Sequence, residues 1–158
     1  MSHLRRLLTH RYLALAFRLY LGGLFIYASV YKIQYPAEFA EVIAGYQMIP
    51  YWLVKTIAVL MPWVELVTGL LLVIGVRSKS AVLVIGGMLV MFTLALGYVL
   101  IADIPIGCGC FTSLEDEVSW KTVVRDLTWL SMAAHVFFFD SVFHLENRYS
   151  WKIEELSQ

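Results

Sequence analysis

Cys108 and Cys110 are the only two cysteines in a chain of 158 residues, and a single glycine, Gly109, stands between them. Two thiols this near in sequence meet only through a sharp backbone turn, which Gly107 and Gly109 permit at low steric cost. A disulfide across one residue is strained, because an unstrained bridge has a rotation of about 90° around the sulfur bond. Strained disulfides are the exchangeable ones. The chemistry on offer is thiol–disulfide exchange, in which one thiolate attacks and the neighbouring cysteine resolves the mixed disulfide. A permanent structural clip is the alternative. Two thiolates are also half of a soft metal site, but His3, His10, His135 and His144 are remote in sequence, and a closed site takes about four ligands. No metal is expected.

A second set of residues is ionic. Arg18, Glu65, Arg125 and Asp126 interrupt long apolar runs, and an ionisable group at membrane depth costs several kcal/mol unless it is paired or hydrated. Arg18 lies thirteen residues before Tyr31 and Glu65 thirteen after Trp52, which puts both roughly 20 Å below one surface at about 1.5 Å per residue. The spacing predicts that they pair, either to fix helix register or to handle protons or a quinone. Arg125 and Asp126 are adjacent, so they point about 100° apart on a helix and are expected to need different partners. Lys55 and Lys32 are the candidates for Asp126. Arg125, close below the cysteines, is the cation expected to raise the thiolate fraction, with Asp126 relaying a proton or orienting Arg125.

The elements that must position these groups are membrane helices. Hydrophobic residues make up 60% of the chain and charged ones 15%, outside the range of soluble domains. The net charge is zero, so there is no electrostatic footprint for nucleic acid. Apolar runs predict an all-α fold, a four-transmembrane-helix bundle forming a single membrane domain over 1–158, with helices at about 13–31, 54–76, 81–102 and 120–139. The third, 22 residues without a charge, suffices to cross a hydrocarbon core of roughly 30 Å. Loops are expected at 32–51 and 103–119, the first with a short helix from Ala37 to Tyr46 started by Pro36. Pro62 interrupts the second span, and Arg77-Ser78-Lys79-Ser80 reads as a tight basic turn. Gly22, Gly23, Gly69, Gly86, Gly87 and Gly97 would let helices approach closely.

Lysine and arginine placement predicts the orientation. Arg5, Arg6, Arg11, Arg77, Lys79, Arg148 and Lys152 lie on the side of the termini, against Lys32, Lys55 and Lys121 opposite. That imbalance puts the termini in the cytoplasm, N-in and C-in. The cysteine loop then faces outward, which in a bacterial inner membrane means the periplasm, where disulfides persist.

These residues resemble a known family, the DoxX-like membrane proteins, in the branch of the methylamine utilisation protein MauE. The resemblance runs from about Arg18 to Leu130. It is carried by Arg18 with Gly22 and Gly23, Lys32, Pro50, the Pro62 to Gly75 segment with Glu65 and Gly69, the Cys-Gly-Cys-Phe of Cys108 to Phe111, and Val124-Arg125-Asp126-Leu127. Thr112 stands where the family commonly has glycine, which stiffens the loop. The resemblance implies envelope thiol redox, with maturation of a disulfide-rich methylamine dehydrogenase subunit alongside a thioredoxin-like partner. Relatives elsewhere imply quinone-coupled oxidation of sulfur compounds. The expectation is a membrane thiol–disulfide redox protein in which Cys108, Cys110, Arg125 and Asp126 carry the chemistry. Arg18 and Glu65 are the quinone-site candidates, and no cofactor is bound covalently. Its partners would be an extracytoplasmic thioredoxin-like or disulfide-containing protein and the lipid membrane. A non-catalytic membrane anchor and a quinone-linked subunit for small sulfur compounds are the alternatives.

Overall fold

Prolines and one glycine decide where the helices of this chain begin and end. The computed structural model describes residues 11–102 and 119–140. Among those residues there are five helices and no strand: α1 (Arg11–Gln34), α2 (Pro36–Gly45), α3 (Tyr51–Ile74), α4 (Ser78–Ile101) and α5 (Trp120–Phe139). Proline disfavours helical backbone at the residue before it. Tyr35 accordingly leaves the helix at φ −123°, ψ 61°, and Pro36 opens α2 in its first turn. Pro50 is extended at φ −56°, ψ 137°, so α3 starts at once with Tyr51, three residues earlier than hydropathy predicts.

Gly75 ends α3 in the left-handed conformation, φ 83°, which costs glycine little. The amides of Gly75 and Val76 both donate to Leu71 O, at 2.9 and 3.1 Å. The turn therefore occupies Gly75 to Arg77, and Ser78 already belongs to α4. This corrects the turn expected at Arg77 to Ser80, because the residue able to adopt positive φ cheaply sets its position. Pro62 sits buried inside α3 without ending it. The proline removes one backbone donor and the helix continues past it, as membrane helices tolerate.

Helix α1 packs along α3, α4 along α5, and α1 also meets α5, while α2 lies on α3. Val42 of α2 and Tyr46, the residue that caps its C-terminus, cluster with Leu96 and Val99 of α4 and Val123 of α5, so α2 covers the bundle end at which α4 stops and α5 starts. The larger cluster, with Leu21, Leu72, Ile85, Trp129 and Val136, fills the space between the four long helices.

The α1–α3 crossing is glycine on glycine. A Cβ at Gly69 would lie 3.0 Å from Gly22 O and 3.0 Å from Ile26 Cγ1, while one at Gly22 would lie 3.0 Å from Gly69 O. Of the six glycines expected to admit close packing, these two do so; Gly23, Gly86, Gly87 and Gly97 have nothing within 4 Å. Gly69→Leu is expected to push the backbones apart and cost about 1–3 kcal/mol or more. Gly87→Leu should cost little. Unfolding of the two variants in mixed micelles checks the contrast.

Polarity is inverted relative to a water-soluble bundle. Arg18, Lys32, Glu65, Asp126 and Asp140 are buried, whereas Leu19, Tyr27, Leu60, Val67, Leu83 and Leu94 are exposed. Tyr12–Gln34, Tyr51–Ile74 and Ser78–Ile101 are long and apolar enough to cross a membrane, and the protein is an integral membrane protein. Helix α5 spans 20 residues but carries Lys121, Arg125, Asp126 and His135, which lower its hydropathy.

Candidate functional site

The buried charges gather mainly around Lys32. Its Nζ donates to both oxygens of Glu65, at 2.7 and 2.9 Å, and it lies 4.9 Å from the ring centre of Phe39 and 5.4 Å from that of Phe92. Lys32 is 4% exposed and Glu65 3%. The pairing follows from how side chains leave a helix. Measured from the Gly22–Gly69 crossing, Lys32 is ten residues along α1 and Glu65 four residues back along α3, an axial offset of about 9 Å at 1.5 Å per residue. Side chains lean toward the N-terminus of their own helix. In an antiparallel pair Lys32 therefore leans back toward the crossing and Glu65 away from it, and the two ends meet.

Asp126, 2% exposed, enters the same place from α5. Lys32, Glu65 and Asp126 line one cavity of about 40 Å³, walled by Phe25, Phe92 and Trp129 among others. Asp126 Oδ1 is buried and has no hydrogen-bond partner among the described residues. Arg125 Nε stands 3.8 Å from it, within ion-pair range but too long for a hydrogen bond. The Arg125 guanidinium lies 4.7 Å from the Trp129 ring centre, and its side chain is 37% exposed. The expectation that these neighbours need wholly separate partners is thus corrected, since the long arginine side chain bends back to its neighbour.

Two further pairings differ from expectation. Arg18 meets Asp140, with Nη1 donating at 3.2 Å to Oδ2 and 3.5 Å to Oδ1, and does not pair with Glu65. The depths of Arg18 and Glu65 are not equal in the structure: each lies four residues before the Gly22–Gly69 crossing on antiparallel helices, so they stand about 6 Å to either side of it at 1.5 Å per residue, and their side chains lean further apart. For Asp126, the lysine sharing its cavity is Lys32; Lys55 is exposed and lines a separate groove between α2 and α3 with Glu41. Cys108 and Cys110 lie outside the described residues. His135 packs edge-on against Phe17, ring centres 5.3 Å apart, and against Phe139 at 4.8 Å, in keeping with a packing residue.

Sequence reasoning offered Lys32 as a partner for Asp126 and not for Glu65, and it ended the fourth helix at 139 with no role given to Asp140. The lean of Lys32 toward the glycine crossing is the signal that would have found the first. For Asp140 the signal is its position at the end of α5, where a cation is favoured, opposite the N-terminal half of α1.

The family model described as methylamine utilisation protein MauE matches residues 10–139. Methylamine utilization protein MauE of Paracoccus denitrificans is 31% identical over 120 residues, covering 75% of this chain and 64% of that protein. The protein of the same name in Methylorubrum extorquens is 31% identical over 109 residues, covering 68% and 58%. That of Paracoccus versutus is 28% identical over 120 residues. The chain thus spans about three fifths of the length of the curated relatives it matches. No solved structure matches it.

Proposed function

The chain belongs to the methylamine utilisation protein MauE family, and from that premise we propose that it serves methylamine utilisation as a membrane thiol–disulfide redox protein. In this reading the Cys108–Cys110 disulfide accepts two electrons from a dithiol on a thioredoxin-like or other disulfide-forming protein outside the membrane. One partner thiolate attacks a cysteine sulfur and displaces the other as thiolate; the partner's second thiol then resolves the mixed disulfide. The partner leaves oxidised and Cys108 and Cys110 are left as thiols. A membrane carrier of the quinone class restores the disulfide, taking two electrons and two protons to become a quinol.

The observation that carries this reading is the position of Arg125 and Asp126, a turn and a half into α5, the helix that follows the cysteine pair in sequence. Arg125, one-third exposed, supplies the cation that favours thiolate, and Asp126 orients it. The cavity at Lys32, about 40 Å³, is far below the roughly 300 Å³ at which ligand pockets begin. In this reading the quinone's contact lies instead at the outer helix ends.

Four membrane spans belong to the same proposal. Val124, Leu127 and Phe138 leave an apolar outer face on α5, and the hydroxyls of Thr128 and Ser131 are satisfied by Val124 O and Thr128 O of the same helix. Exposed Tyr51, Trp52, Tyr98 and Trp120 gather at one bundle end, as an interfacial belt would. Termini in the cytoplasm of a bacterium, with the cysteine loop in the periplasm, complete the reading.

The test is covalent trapping. Cys108→Ala and Cys110→Ala, expressed separately, are expected to differ: by the reverse of the first step, the cysteine that the partner contacts attacks the disulfide of the oxidised partner and, with its neighbour absent to displace the partner, accumulates as a reductant-sensitive adduct with an envelope protein. No adduct in either variant, together with unchanged thiol status in the envelope, would sink the proposal.

A further inference from the structure

We propose that the cavity between Lys32, Glu65 and Asp126 is a hydrated proton-binding site, in which Asp126 takes up and releases one exchangeable proton through bound water. The proposal stands on geometry and does not require the cysteine chemistry. A cavity of about 40 Å³ has room for roughly three waters, at about 10–15 Å³ each. Water also needs two to four polar partners, and three converge here: Asp126 Oδ1, buried and without a hydrogen-bond partner among the described residues, the Lys32 ammonium and the Glu65 carboxylate.

Charge balance says why the ligand is a proton and not a second cation. The groups facing Asp126 are Lys32 from α1, Glu65 from α3 and Arg125 from α5 itself, while α4 offers Met88, Leu89 and Phe92, all uncharged. Lys32 is already committed to both Glu65 oxygens, so those two cancel. Asp126 is then the net charge of the cavity, and two things can neutralise it: Arg125, at 3.8 Å, or a proton. A metal ion would have to displace the Lys32 ammonium from Glu65, and the aromatic rings around it offer no further oxygen. The step balances simply: a hydronium ion gives its proton to the Asp126 carboxylate and remains in the cavity as water. Uptake of that proton releases Arg125 from its counter-charge role, so the two states differ in where the guanidinium is held.

The experiment is infrared difference spectroscopy of the full chain in lipid nanodiscs, titrated with pH in water and in deuterium oxide. One carboxylic acid carbonyl band is expected to titrate and to shift in deuterium oxide. Asp126→Asn should abolish it, and Cys108→Ala/Cys110→Ala should leave it intact, which separates this site from the thiol reading. If Asp126→Asn does not fold, Asp126→Glu carries the test, and its band must move. A titrating band that survives Asp126→Asn unchanged, a band unmoved by Asp126→Glu, or an Asp126 band that does not exchange with deuterium overturns the proposal.

Discussion

Lys32→Met is expected to destabilise the bundle by about 3–5 kcal/mol, the range for removing one partner of a buried ion pair. The cost is not mainly the lost hydrogen bonds, at 2.7 and 2.9 Å. It is the carboxylate left behind: Glu65 is 3% exposed and sits where neither bulk water nor a long snorkelling side chain brings relief. The same substitution also strips the Phe39 and Phe92 rings of their cation, each contact worth about 0.5–2 kcal/mol. The pair as a unit is a different matter. Replacing both members with apolar residues is often neutral, so Lys32→Met/Glu65→Leu should recover most of the loss. Lys55→Met, at an exposed position on α3, serves as the control and should fall within about 0.5 kcal/mol of wild type. Unfolding of the four proteins by denaturing detergent measures these differences. Equal costs for Lys32→Met and Lys55→Met would remove Lys32 from the centre of the bundle.

The contrast between Lys32 and Arg18 shows what was legible in the residues. Long apolar runs made the all-helical architecture and its membrane character readable, because hydropathy over twenty residues is a local property. Pro36 and Pro50 fixed local starts through their effect on a single neighbouring residue. Pairing is not local. Counting residues from the helix ends gave Arg18 and Glu65 one depth, yet the Gly22–Gly69 register sets them on opposite sides of the crossing, and they bond Asp140 and Lys32 respectively, each side chain leaning toward the start of its own helix. Helix direction was itself predictable from the alternation of spans, so the lean could have been applied. What the residues did not disclose is the crossing register, which Gly22 and Gly69 set while four other glycines, identical in type, do not. The cysteine pair is a different case: its expectation rests on spacing alone and needs no tertiary information, and the pair lies outside the described residues.

Arg18→Met is expected to cost about 3–5 kcal/mol, and Asp140→Asn only about 1.5–3 kcal/mol, the range for a hydrogen bond to a charged group. The order follows from where the pair sits. Asp140 is the C-cap of α5, and its amide donates to Val136 O, so its carboxylate lies at the negative end of a helix. Removing Arg18 leaves that carboxylate, 1% exposed, beside carbonyls that repel it. Removing the charge of Asp140 instead leaves Arg18 facing a helix terminus that favours a cation, and asparagine still offers an oxygen at the same position to accept from Nη1. If the pair ties α1 to the end of α5, activity per folded molecule should stay near wild type in both variants, and loss should track the folded fraction. A quinone-handling role for Arg18 predicts the reverse, a drop in quinone reduction by folded protein that Asp140→Asn does not share. Measuring unfolding free energy and activity on the same samples separates the two, and equal stability costs for the two substitutions would remove the helix-end argument.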